Sequence, residues 1–344
     1  MAGERRAAGR AGPERRTALG VLRFAARRLA FAVVSVAAVV VITFLLVHAA
    51  PGEPMLGTPE RTLVPPETIA RQRALFGLGR PLAEQFVRYA GNLARGELGE
   101  SFVLHRPVAD VLRDALPNTL LLGGTALVVS LLLGVAVGAL QAARHRSRTD
   151  SVLGAAALVL YSVPVFWLGL LLLLVFGERL HWLPMGGMTT PGGDAGLSWP
   201  RHALDVARHL VLPAASLALV QAAAVARFQR SALLECLGAE YVRAARAKGL
   251  SERAVLLRHA LRGALAPTLT LAGLSVPYFL AGSVLVESIF GWPGLGRVTY
   301  DAIFARDYNV ITAVALVSGI LVAVGNLLAD VAVAVADPRV RLDR

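Results

Sequence analysis

Residues 240–267 read EYVRAARAKGLSERAVLLRHALRGALAP, a charged, small-residue segment between two long apolar stretches. It forms the centre of a polar connection from Arg227 to Arg262 that holds eight Lys or Arg residues. Tyr241, Ala244, Ala245 and Lys248 fall at i, i+3, i+4 and i+7, the spacing of one helix face. Gly249 then offers a left-handed cap, and Ser251 can begin a second helix by accepting from its first free amides. The pattern is a basic helix-turn-helix, and its small residues let another protein approach closely. Between membrane spans, such an element is a surface for a cytoplasmic partner.

The flanking stretches decide the fold class. The chain has 344 residues, of which 56% are hydrophobic and 17% charged, and its mean hydropathy is +0.60, well above that of a soluble domain. Runs long enough to cross about 30 Å of hydrocarbon are predicted at 29–47, 118–140, 152–176, 210–226, 265–286 and 310–336. Only the last contains a charge, Asp330. The expected fold is therefore an all-α membrane protein, a six-transmembrane-helix bundle.

Taking those spans, one side of the membrane carries 22 Lys or Arg against 8 Asp or Glu, and the other 13 against 14. Basic residues collect in the cytoplasm, so both termini are expected there. The formal net charge of +12 is dispersed over four loops that flank apolar spans, which fits topology and anionic lipid rather than nucleic acid. Cys236 is the only cysteine, so neither an internal disulfide nor a cysteine-based metal site can form. The first span follows a basic tail without a convincing small-residue cleavage site and reads as a retained anchor.

Residues 1–22 read as a disordered basic cytoplasmic tail, with 23–344 as the membrane domain. In the longest outside segment, Pro51 to Pro117, three amphipathic helices are predicted: Glu67 to Phe76, Pro81 to Arg95 and Pro107 to Leu116. Trp182 and Trp199 in the next outside loop suit an interfacial belt, as does His48 at the end of the first span. The last outside connection, Glu287 to Asn309, holds the turn FGWPGLGR, in which Trp292, Pro293, Gly294 and Gly296 can fix a rigid turn near a pore mouth. Glu287 reads either as a gate or docking residue or as a solvated interfacial carboxylate. Asn326 and Asp330 are polar residues at i, i+4 inside the last span, about 10 Å from its cytoplasmic end, suited to capping or inter-subunit hydrogen bonding more than to proton relay.

Missing motifs discriminate too. The only lysine, Lys248, follows Ala247 rather than a glycine, so there is no phosphate-binding loop and nucleotide hydrolysis must come from another chain. No HExxH, CxxC or GxSxG pattern occurs, which argues against a membrane protease or hydrolase.

Several strings together resemble one family, the membrane-spanning permease subunits of bacterial ATP-driven (ABC) importers, in the oligopeptide, dipeptide and nickel branch. They are PGEP (51–54), FGLGRPLAEQF (76–86), GELGESF (96–102), RPVADVLRDALPNTL (106–120), YVRAARAKGLSERAVLLRHAL (241–261), WPGLGR (292–297) and DPRVR (337–341), so the likeness runs from Arg27 to Arg341.

The resemblance implies a type I ABC importer permease with a cytoplasmic coupling helix that seats in an ATPase subunit. On that basis Tyr241, Arg243, Ala244, Ala245, Lys248 and Gly249 are the expected coupling residues, while Glu287, Trp292, Pro293 and Gly294 are pore-mouth or gate candidates. Arg243 stands where the general importer motif has a glutamate, a departure that the peptide branch shares. The implied partners are a second homologous permease, two cytoplasmic ATPases, an extracytoplasmic solute-binding protein and the lipid membrane. The chain itself is expected to need no cofactor, since ATP would be bound by the partners, and it is not expected to be an enzyme. Two rivals are an ion-coupled secondary transporter, for which Asp330 and Pro164, Pro267 and Pro277 are the only hints, and a docking scaffold that moves no solute.

Overall fold

The computed structural model describes residues 13–49, 80–101, 103–192 and 198–336. Among these the regular elements are helices, and the only β pairing is one isolated bridge between Glu100 and Pro107. We number the helices α1 (Pro13–Ala49), α2 (Leu82–Ala94), α3 (Val108–Ala143), α4 (Arg148–Ser162), α5 (Val165–Leu172), α6 (Trp199–Gly238), α7 (Glu240–Ala247), α8 (Leu261–Leu274), α9 (Val276–Ile289), α10 (Leu295–Ala305) and α11 (Tyr308–Ala336). A π-helical turn, Leu173–Arg179, extends α5, while a short turn at Glu252–Ala254 and a π-helical turn at Val255–Ala260 lead into α8.

Four helices hold straight apolar windows long enough to cross a membrane: Arg27–Ala49, Val108–Ala143, Trp199–Gly238 and Tyr308–Leu328. Two further spans are bent pairs, Arg148–Ser162 with Val165–Arg179 at 105° and Glu252–Leu265 with Thr270–Leu280 at 44°. Counting each pair as one span gives six among the described residues. The predicted run 152–176 falls on the first of these bent pairs. The cause of that bend is local: Pro164 pushes Val163 out of the helical region, to φ −83° and ψ 129°, and has no amide to continue the ladder. The fifth span bends between Leu265 and Thr270, around Pro267, while Pro277 stands in the first turn of α9.

Pro117 acts differently. The predicted separate helix Pro107 to Leu116 is instead the first part of α3, which passes through Pro117 without interruption. Asn118 Nδ2 adds a 3.1 Å bond to the Asp114 carbonyl beside the proline, where the ladder is weakened. The helix predicted at 81–95 is present as α2, packed on the end of α1 through Phe44, Phe86 and Tyr89. His48 completes that contact by pairing through Nε2 with Gln85 Oε1 at 3.0 Å. The helix predicted at 67–76 lies outside the described residues. So do residues 1–12 of the expected tail, whereas 13–22 form the start of α1.

α3 and α6 form the most extensive helix pair. Ser130, Gly134 and Gly138 are buried and repeat every four residues along α3, presenting a small-residue face to α6. A Cβ on Gly138 would lie 2.6 Å from the Ala226 carbonyl and 2.9 Å from Gln229 Cβ. The apolar window of α6 is 67% buried, against 6% for that of α1, so α6 is the axis and α1 the lipid-exposed flank. Three buried clusters run along α3. Leu112, Leu295 and Val310 hold the end that carries the Pro293 turn, Leu122, Leu217 and Trp292 the middle, and Leu233, Val242 and Val255 the opposite, foot end.

We expect Gly138→Leu to overpack the α3–α6 seam and to cost about 1–3 kcal/mol. The loss is read as a lowered Tm of the detergent-solubilised protein. Gly124→Ala on the same helix, where an added Cβ meets nothing within 4 Å, should not lower Tm, since alanine favours a helix more than glycine does.

Candidate functional site

At the foot end, α7 is an eight-residue helix that directly follows α6. Lys248 ends it and Gly249 reverses the chain at φ +79°, a backbone that costs other residues about 1–2 kcal/mol. Ser251 Oγ accepts from the Ala254 amide at 3.4 Å and starts the next turn, as its sequence position implied. Arg246 braces the reversal, donating from Nε and Nη2 to the two carboxylate oxygens of Glu252 at 2.8 and 3.1 Å. The helix-turn-helix is therefore a shaped element rather than a loose loop.

Its two faces differ sharply. Val242 and Ala245 point inward, into a buried cluster with Ala142, Leu233, Val255, Ala260 and Ala264 drawn from α3, α6 and the following turns. Arg243, Ala244, Ala247, Lys248 and Gly249 are exposed. Ala245 is buried because α7 has to cover one apolar stripe and Ala245 lies three residues after Val242 on that stripe. Tyr241 lies at the edge, its hydroxyl over Gly263, where a Cβ would sit only 2.9 Å away. Partial burial there, with Cys236 beside it, pushes its phenol up to about 12, so it stays neutral. Arg243 comes no closer than 4.0 Å to Glu240, both side chains being exposed.

At the turn end, Glu287 is fully buried, and the solvated-carboxylate reading is overturned. Its Oε2 accepts from the amides of Gly296 at 2.7 Å and Arg297 at 3.1 Å, and its Oε1 accepts from the Thr119 hydroxyl at 2.9 Å. Those amides belong to the first turn of α10, so a carboxylate from α9 caps a helix nine residues further along and meets the positive end of its dipole. Thr119 Oγ1 in turn accepts from the Leu295 amide at 2.7 Å. Trp292 is also fully buried, and its indole donates to the Asn118 carbonyl at 2.9 Å while Asn118 Nδ2 donates to the Pro293 carbonyl at 2.8 Å. A side chain on Gly294 would collide with the Glu287 carboxylate and the Thr119 hydroxyl. The FGWPGLGR turn is in this way locked onto α3.

The partners Asn118 and Thr119 did not stand out in the sequence as site residues, although an Asn-Thr pair opening an apolar run is an unusual polar signal. Asp307 was also missed. It is buried, accepts from Ser101 Oγ at 2.6 Å, and caps α11 through the Val310 amide at 3.3 Å. Asn326 and Asp330 both lie on α11, far in sequence from either end's network, and the Asp330 side chain is outside the described ones. Among the described residues no cluster of metal-ligating side chains occurs.

This arrangement, a helical bundle with bent spans and a helix-turn-helix foot, is the fold of an ABC importer permease. A chain of the MetNI methionine ABC transporter in an inward-facing conformation superposes with a TM-score of 0.54 at 18% identity, covering 66% of this chain and 96% of that one. Family models match as well, binding-protein-dependent transport system inner membrane component over residues 130–342 and its N-terminal membrane component over residues 21–123. The chain belongs to the binding-protein-dependent transport system inner membrane components, a family of transport permeases and not of enzymes.

Similar curated proteins include the oligopeptide transport system permease protein AppB of Bacillus subtilis (strain 168), 38% identical over 91% of this chain and 98% of that protein. The di/tripeptide transport system permease protein DppB of Pseudomonas aeruginosa (strain UCBPP-PA14) is 39% identical over 94% of this chain and its own full length. The dipeptide transport system permease protein DppB of Escherichia coli (strain K12) is 33% identical over 93% and 99%.

We expect Glu287→Ala to orphan the Gly296 and Arg297 amides and the Thr119 hydroxyl, each buried donor costing about 1–3 kcal/mol. Trp292 should then become accessible, seen as a red-shifted emission in a background where Trp167, Trp182 and Trp199 are phenylalanine. Glu287→Gln, which keeps one acceptor oxygen, should shift less.

Proposed function

We propose that this chain is one of two homologous permease subunits of an importer for peptides, with its foot seated on one of two cytoplasmic ATPases and its turn end facing a solute-binding protein outside. Support for peptides comes from the full-length similarity to relatives named for oligopeptide, di/tripeptide and dipeptide transport. The excess of basic charge on the foot side supports cytoplasmic termini, with residues 1–22 as a basic tail ahead of the membrane domain. ATP would act through the partners. Asn326 and Asp330 would then serve α11 as polar contacts within the membrane, at a subunit boundary.

One observation carries the mechanism: the underside of the foot is sealed into the ends of α3, α6 and α8 by a single buried cluster, while its outer face is left small and open. Close packing transmits displacement rather than absorbing it. A partner that grips Ala244, Ala247 and Lys248 and moves on ATP binding would drag three spans together and switch the bundle between inward- and outward-facing states. The turn end would move as a unit as well, because Glu287 and Thr119 bind the outer turn to α3.

The test is cysteine crosslinking in a Cys236→Ser background with co-expressed ATPase. Cysteine replacing Ala244 or Ala247 should crosslink, whereas cysteine replacing Ala245, turned inward, should not. Crosslinking at position 245 alone, or at none of the three with the assembly intact, rejects the foot as the coupling element. Gly249→Val should lower ATP-dependent uptake by roughly tenfold by straining the reversal, since a cost near 1.4 kcal/mol corresponds to tenfold.

A further inference from the structure

A groove of about 660 Å³ runs between α4 and α6 at the foot end, lined in part by Gln141, Asp150, Ser151, Tyr161, Arg227 and Arg230. Its charges do not cancel. Asp150 is fully engaged, because Arg230 donates to its two oxygens from Nε and Nη2 at 2.7 and 2.8 Å and the Arg146 amide adds a bond at 3.0 Å. Arg227 has no acidic partner among the described residues. Its guanidinium instead lies over the Tyr161 ring, 5.7 Å from the centroid, a placement that orients the planar fork and leaves its donors available. Beside it, Gln141 is 1% exposed and spends its amide nitrogen on the Asp150 carbonyl, while its Oε1 has no donor among the described residues. One uncompensated cation and one unsatisfied acceptor therefore border the same space.

The surroundings say what kind of anion fits. One turn beyond Gly154, on the same side of α4 as the groove, the apolar Leu158 is 54% exposed. Arg144 and Arg148 flank the start of α4, so the local potential favours anions at this level of the membrane. A ligand that suits the whole site carries an oxyanion at one end and hydrocarbon at the other.

We propose that the groove binds an anionic phospholipid by its headgroup, with Arg227 holding the phosphate and the acyl chains lying along α4. A zwitterionic lipid brings its own cation and gains less from Arg227. A small carboxylate solute would satisfy Arg227 but leave the apolar flank uncovered. This inference needs only the membrane bundle, not the identity of the transported solute.

The experiment is native mass spectrometry of the full chain, purified in detergent, with phosphatidylglycerol or phosphatidylcholine of matched acyl chains. Phosphatidylglycerol should be retained over phosphatidylcholine by roughly tenfold, the scale of one charge-assisted contact. Arg227→Gln should abolish the preference, Arg227→Lys should keep part of it, and Arg253→Gln, on the exposed foot, should leave it intact. An unchanged Tm for Arg227→Gln shows that the loss is not one of folding; if that variant unfolds, Tyr161→Leu, which removes the ring under the guanidinium, must weaken the preference instead. Equal retention of the two lipids, or a preference that survives both Arg227→Gln and Tyr161→Leu, overturns the proposal. So does displacement of phosphatidylglycerol by free dipeptide, which would assign the groove to solute, or by the added partner permease, which would make it a subunit interface.

Discussion

The close approach of α3 to α6 is the contact on which the rest of the molecule hangs. Gly134 and Gly138 remove the side chains that would hold the two backbones apart, and α6 answers with Ala222, Val225 and Ala226. In hydrocarbon, where sequestering apolar surface gives no advantage, association of helices relies on such packing and on buried polar contacts. Each of the three buried clusters includes residues of α3. Turn and foot are thus connected through one pair of rods.

A second constraint is that every backbone group inside the membrane has to find a partner within the protein. The breaks in this bundle obey it. The turn after α9 is covered by Asn118, Thr119, Glu287 and Trp292, so that irregular chain is tolerated deep in the fold. Gln221 donates to Ser275 at 2.5 Å, at the break between α8 and α9. Asp307 does the same service where α10 ends at Arg306, a left-handed residue at φ +55°, and α11 begins. Polar residues in the spans accordingly collect where the helices stop or bend, which is also where a transporter needs its backbone to flex.

Charge is arranged along with shape. The foot combines basic residues with a small, open outer surface, whereas its inner surface is wholly apolar. Asp150 ties the α3–α4 turn to Arg230 on α6, and the S-x-x-D pattern from Ser147 to Asp150 caps the start of α4 at 3.3 Å. The ion pair fastens the start of α4 to α6 at the foot end. The network at the turn end uses a carboxylate with no cation, neutralised in effect by amides and a helix terminus.

The amino-acid sequence by itself determined the class of fold, the number of spans, the position of the foot and its glycine reversal, since length, hydropathy and local backbone preference are properties of short segments. It also carried the family, through strings that keep their order and spacing. Only the tertiary structure decided that the helix runs on through Pro117, where a stop was expected. It decided too that Ala245 anchors while Ala244 faces out, and that Glu287 is buried. Neighbouring residues of similar chemistry are separated by which stripe the bundle needs to cover, and the solvation of a carboxylate depends on amides and hydroxyls brought to it from elsewhere in the chain: Thr119 is 168 residues away. Such long-range pairings have no local signature for a segment to carry.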